Sequence, residues 1–168
     1  MKKSTKIITI AMILLVLAAI PIYFVIRPQG APEGYLQVRG NVSNPLNMTI
    51  SELRNLPLTT IQANLKSSGH PEDNGVFNFS GVILWSLLEL SGISKNATSV
   101  YVQASDSYGS TFSIQEIEEN NQYLIAYAKD GQPLESRDKG GTGPIRLVIG
   151  SDQYSQRWVK YVVNIEVS

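Results

Sequence analysis

Pro144-Ile145-Arg146-Leu147-Val148-Ile149-Gly150 decides how this chain is read, because it is a short apolar run, closed by proline and glycine, with one charge set inside it. Such a run reads as a buried strand, and a charge within it asks for a partner. A second run, Trp158-Val159-Lys160-Tyr161-Val162-Val163, repeats the arrangement with Lys160 as the interruption. Two cations on paired strands can form a site that a phosphate or carboxylate fills. Simple alternation along each strand can equally turn both toward solvent.

Outward from these runs the pattern stays strand-rich. Strands are expected over 35–39, 58–66, 99–104, 111–114, 123–128, 145–149 and 158–167, with a hairpin-type turn at Asp130-Gly131 and another turn at Asp106-Ser107-Tyr108-Gly109. Thr49-Ile50-Ser51-Glu52 has the spacing of a capping box ahead of a short helix closed by Pro57, and Ser113-Ile114-Gln115-Glu116 opens a second, acidic one. The stretch 67–74, with Gly69, Pro71 and Asp73, reads as a loop. Residues 82–90, ended by Gly92, read as the most buried helix of the domain. Strands that do not alternate regularly with long crossover helices make the class α+β, in one β-rich domain over 35–168.

The N-terminal part is of a different kind. The twenty residues over 7–26 carry no charge. At helical rise they span roughly 30 Å, the hydrocarbon thickness of a bilayer. An uncleaved single-pass anchor is expected there, with a cleaved signal as the alternative. Lys2, Lys3 and Lys6 precede the run and only Arg27 follows closely, which puts residues 1–6 in the cytoplasm and the domain outside the cell membrane. Residues 27–34, with Pro28, Gly30, Pro32 and Gly34, form a short spacer. Four Asn-x-Ser/Thr acceptors, at Asn41, Asn47, Asn78 and Asn96, become meaningful for an exported domain and make it a candidate glycoprotein.

Composition removes several chemistries. Fourteen bases balance 14 acids, and setting aside the three leading lysines leaves 14 − 3 = 11 bases against 14 acids, so nothing favours a nucleic-acid partner. With no cysteine and His70 as the one histidine, the chain has no thiolate nucleophile, iron–sulfur cluster, haem attachment motif or His-rich metal site. Gly140-Gly141-Thr142-Gly143 runs into Pro144 and a strand, so it is no phosphate loop. His70, beside Pro71, reads as a solvated loop residue.

The order of motifs resembles the molybdopterin-binding domain of the sulfite oxidase family of oxidoreductases. The matching pieces are Leu36-Gln37-Val38-Arg39-Gly40-Asn41-Val42-Ser43-Asn44-Pro45-Leu46, Ser80-Gly81-Val82-Ile83-Leu84, Val102-Gln103-Ala104-Ser105-Asp106-Ser107-Tyr108, Asp130-Gly131-Gln132-Pro133-Leu134, and the two charged runs quoted above. The resemblance implies a mixed α+β fold and oxygen-atom transfer at a molybdenum ion, which a pterin dithiolene and one protein cysteine hold. It also implies that Arg146 and Lys160 bind the anionic pterin cofactor or a small anion, and Lys139, in the loop ahead of the first run, is a further candidate for that contact.

Two departures qualify that expectation. The family's metal-ligating cysteine follows a Thr-x-Gln strand, and Thr60-Ile61-Gln62-Ala63 puts Ala63 at that position, with Ser67 or Ser68 reachable by a register slip. The family's histidine before the Pro-x-Arg strand is replaced by Asp138-Lys139-Gly140-Gly141-Thr142-Gly143. The missing thiolate argues against ordinary catalysis. The expected function is therefore that of an extracytoplasmic, membrane-anchored member of the family, degenerate for metal ligation. The alternative is a catalytically silent binding or interaction module at the cell surface, without cofactor.

Overall fold

A computed structural model describes residues 32–168 together with Met12, Ile13 and Leu15. Those three are helical and exposed, and the rest of the expected anchor over 7–26 lies outside the described residues. Among the described residues no helix is long and apolar enough to cross a membrane.

Two sheets carry the fold. The first orders its strands β2 (Leu46–Thr49), β1 (Tyr35–Gly40), β10 (Val162–Val167), β5 (Ser99–Ala104) and β6 (Gly109–Ser113). Only β1 and β10 run parallel in it. The second is antiparallel and runs β3 (Thr59–Leu65), β4 (Gly75–Ile83), β7 (Tyr123–Lys129) and β8 (Gln132–Pro133), with β9 (Arg146–Ile149) also on β7. Within residues 32–168 three short α-helices punctuate them: α1 (Ile50–Leu53), α2 (Leu84–Leu90) and α3 (Ile114–Glu118). Inward residues of both sheets, among them Leu36, Val102, Ile165, Phe79, Leu124 and Leu147, join one buried cluster that also takes Leu84, Leu87 and Leu88 of α2. This is the expected α+β class.

Local chemistry explains the joints. Thr49 accepts from the Glu52 amide while the Glu52 carboxylate accepts from the Thr49 amide, so the first capping box is complete. The second is only half made: Ser113 accepts from the Glu116 amide at 3.1 Å, but the Glu116 carboxylate is drawn away to Arg157 at 2.6 Å and to the Tyr123 hydroxyl. Burial pushes Glu116 up, yet the hydrogen bonds from Tyr123 and Arg157 outweigh it and hold the carboxyl below its usual range. Asp130 and Gly131 both take positive φ, as a tight hairpin between β7 and β8 requires.

Two expectations need correction, and one strand was not expected. Val82 and Ile83 belong to β4, and the helix begins only at Leu84. Strand β4 was not expected, although Phe77-Asn78-Phe79-Ser80 alternates as a strand does, because its apolar end continues without a break into the helix. The last strand is shorter than 158–167: Tyr161 takes φ of 57° and breaks it, leaving Trp158 to Tyr161 outside β10. Trp158 is instead fixed by its indole N–H, which donates to the Ile149 carbonyl at 3.1 Å, and by edge packing on Phe79 at 5.7 Å between ring centroids. Trp158→Phe removes one of the two hydrogen bonds to that carbonyl, which also accepts from the Asp152 amide at 3.2 Å, and is expected to cost about 0.5–1.5 kcal/mol in urea unfolding; an unchanged midpoint would count against the bond.

Candidate functional site

The site grows from the junction of β9 with the segment before β10. Leu147 and Val159 form an isolated antiparallel bridge, with the Leu147 amide donating to the Val159 carbonyl at 2.8 Å. Arg146 and Lys160 each lie one residue from that bridge, on the same side of it, so they oppose one another. Both line a cavity of about 380 Å³, together with Ser67, His70, Lys129, Thr142 and Ser155. Two carboxylates, Glu72 and Asp73, border it as well.

Arg146 is 4% exposed, so alternation does not deliver it to solvent. Its guanidinium lies 5.3 Å from the Trp158 ring centroid and 5.9 Å from that of Phe79. Nη1 donates to the Thr142 hydroxyl at 3.3 Å, while the buried Nε has no hydrogen-bond partner. Burial pulls its pKa down to about 10, with the Tyr161 hydroxyl and Asp73 opposing. Lys160, half-buried, is also shifted down, first by burial and then by the positive charge of Arg146, against a smaller opposing pull from Asp73. Two desolvated cations facing each other, one with an orphaned donor, are an arrangement that an incoming anion relieves.

Lys139 sits elsewhere. It pairs with Glu135 at 3.3 Å, its side chain is 66% exposed, and it does not line the cavity. Lys129 does line it, with Nζ 3.4 Å from the Phe77 ring centroid, and was not singled out from the sequence. Its signal was weak, a lysine at the end of a strand beside a turn. His70 borders the cavity but is largely exposed and lies 3.2 Å from Glu72, in keeping with a solvated loop residue. Ala63 is buried in β3 opposite Phe77, and its methyl group offers no donor atom. Among the described residues no group of three His, Cys, Asp or Glu side chains converges as a metal site would need.

The surrounding loops are tied in place. Arg157 bridges Glu116 at 2.6 Å and Asp152 at 2.5 Å, and the Ser155 hydroxyl donates to the Lys66 carbonyl at 2.7 Å. The Tyr108 hydroxyl donates to the Gln156 carbonyl at 2.8 Å. A second hollow of about 220 Å³, lined by Asp106, Tyr108 and Tyr161, shares Ser155, Trp158 and Lys160 with the first, so Lys160 stands between two lobes. Next to Asp106, Glu33 accepts from the Ser105 hydroxyl at 3.0 Å and pairs with Arg137 at 3.4 Å. Arg137 in turn reaches Asp106 at 2.9 Å and stacks 3.9 Å from the Tyr161 ring centroid.

A bound anion would need Lys160 charged. Because that charge is already disfavoured by burial and by Arg146, anion affinity is expected to fall as pH rises into the range below the ordinary lysine value, and Lys160→Arg should flatten the fall. Binding titrations of inorganic phosphate across alkaline pH check this; equal profiles for the two proteins would remove Lys160 from the site.

Comparison with known proteins adds the following. The family model described as the oxidoreductase molybdopterin-binding domain matches residues 27–168. Among solved structures, the sulfane dehydrogenase SoxCD from Paracoccus pantotrophus superposes with a TM-score of 0.65 at 23% sequence identity, covering 79% of this chain and 37% of that one. This chain thus spans little more than a third of the length of the chain it matches, and the likeness is one of fold. No curated protein matches.

Proposed function

The chain belongs to the oxidoreductase molybdopterin-binding domain family, and from that premise we propose that it is a membrane-anchored, extracytoplasmic member that holds an anionic, phosphate-bearing pterin through Arg146 and Lys160 without supplying a ligand to molybdenum. The observation that carries the reading is the buried guanidinium of Arg146, whose Nε has no partner and which lines, beside its cross-strand neighbour Lys160, a cavity of about 380 Å³. A buried donor left empty costs free energy that a phosphate oxygen would return.

The fit to the family's cofactor is divided. Two cations, with Thr142 and Ser155 beside them, suit a phosphate-bearing organic group. The donor set does not suit the metal, because Ala63 stands where the resemblance places the thiolate and no cluster of ligating side chains replaces it among the described residues. Ser67 lines the cavity, but one hydroxyl is not a ligand set. The residues present suit a binding module on an enzyme fold.

Export rests on the uncharged run over 7–26 with its leading lysines, and it gains support from the four acceptor asparagines, all of which are exposed. Two measurements on the chain purified from its host's membranes test the proposal together. Pterin fluorescence without stoichiometric molybdenum is the expected result; stoichiometric metal would overturn the claim about ligation, and absence of any pterin would overturn the claim about the ligand. Enzymatic removal of N-glycans is expected to increase gel mobility, and an unchanged band would remove the glycoprotein expectation.

A further inference from the structure

Two carboxylates share the cavity with three cations, yet among the described residues no ion pair joins the two groups. Lys129, Arg146 and Lys160 line it from one part of the chain, and Glu72 and Asp73 from the loop after β3. Glu72 reaches only the exposed ring of His70, at 3.2 Å, and the Asp73 side chain has no hydrogen-bond or ion-pair partner among the described residues. Asp73 nevertheless stands near both Arg146 and Lys160, because its charge opposes the downward pKa shift of each. Opposite charges that sense one another without touching suit a ligand that carries both an anion and an N–H donor.

The loop is built to keep its acids at the cavity. At its base the Lys66 carbonyl accepts from the Ser155 amide at 3.1 Å and from the Ser155 hydroxyl at 2.7 Å, which ties it to the segment that leads into Trp158 and Lys160. Pro71–Asp73 form a single helical turn, in which the Asp73 amide donates to the His70 carbonyl at 3.1 Å, and the Asn74 side chain closes the loop by accepting from the Ser67 amide at 2.6 Å. Leu65, Phe77 and Trp158 line the same cavity and suit a flat ring. Its volume of about 380 Å³ falls within the range of sites for small organic ligands, about 300–1,000 Å³, and a bare phosphate would leave most of it empty. The orphaned Nε of Arg146 marks the place of the anion; at the carboxylates, which only accept, the ligand must present N–H groups.

We infer that Glu72 and Asp73 read the donor edge of the pterin, its exocyclic amino group and the adjacent ring N–H, while Arg146 and Lys160 hold its phosphate. The inference rests on the pterin reading above and adds to it the residues that select the heterocycle. An ionised carboxylate favours an amino group and repels a carbonyl oxygen at the same position. The same two charges act against a bare phosphate, which has no N–H to offer them.

The discriminating probes are hydroxymethylpterin phosphate and hydroxymethyllumazine phosphate, in which a carbonyl oxygen replaces the exocyclic amino group. The full chain is expected to bind the pterin about tenfold to a hundredfold more tightly than the lumazine. In the Glu72→Ala, Asp73→Ala protein that preference should vanish, while inorganic phosphate binds severalfold more tightly than it does to the unaltered chain. A general loss of structure cannot produce that gain, and Asp73→Asn alone should move both quantities the same way by a smaller amount. Equal affinity of the unaltered chain for the two probes, both tighter than inorganic phosphate, would overturn the role of the acids and leave the pterin reading standing. If neither probe bound more tightly than inorganic phosphate, the pterin reading would fall and the inference with it. A preference that survived in both variants, or a phosphate affinity that rose in neither, would overturn the assignment to Glu72 and Asp73.

Discussion

Replacing Arg146 and Lys160 together with alanine is expected to weaken binding of a pterin phosphate by about a hundredfold to ten-thousandfold, since two charge-assisted contacts contribute about 1.5–3 kcal/mol each. The fold should survive, and the direction of the stability change is the more telling part. Arg146 sits among Phe79, Trp158 and buried strand residues with its Nε unpaired, so in the empty protein its charge is a cost. Arg146→Met, which keeps the length and removes the charge, is expected to raise stability by up to about 2 kcal/mol while removing affinity. Loss of binding accompanied by gain of stability marks a residue held for its ligand. Isothermal titration and chemical denaturation on the same samples read both quantities, and a variant that lost stability along with affinity would mark Arg146 as a packing residue instead.

The largest stability effect is expected from Gly40→Ala. Gly40 takes φ of 95°, and a Cβ there would run into the backbone carbonyl of Val167 on the parallel neighbour β10. Backbone strain of about 1–3 kcal/mol adds to an overlap that only a shift of the strand relieves, for a total near 3 kcal/mol or more. Such a loss would show as a drop of many degrees in thermal unfolding. Gly131→Ala makes the control, because its φ is also positive but a Cβ there meets nothing within contact distance. If the two variants lost equal stability, the crowding at Val167 would not be the cause.

How far the sequence could be read depended on whether an element announced itself locally. The capping residues Thr49 and Ser113 sit where the spacing put them, and the turn at Asp130-Gly131 follows from residue chemistry alone. Strand β4 was lost because its apolar residues merge into α2, and no breaker separates sheet from helix. The end of the last strand was misjudged because Tyr161 adopts a left-handed backbone that no local signal announces in a tyrosine. At the site, Arg146 and Lys160 stood out as charges inside apolar runs. Lys129 did not, since its place beside the cavity comes from strand pairing, which a single strand's pattern does not contain. Lys139 had the right charge in the right loop, but the nearer carboxylate of Glu135 holds it outside.

The parallel pairing of β1 with β10 bears on how the domain is made. The strand that occupies the centre of the first sheet is also the last one in the chain, flanked by β1 on one side and β5 on the other. Until Val162 to Val167 has been synthesised, the hairpins β1–β2 and β5–β6 have nothing to join them, and their inner edges stay unpaired. Contacts of such long sequence separation close late and slowly. For the exported domain proposed above, a polypeptide threading through a narrow translocation channel must remain unfolded until it has passed, and a sheet whose keystone arrives last would stay open for that whole passage.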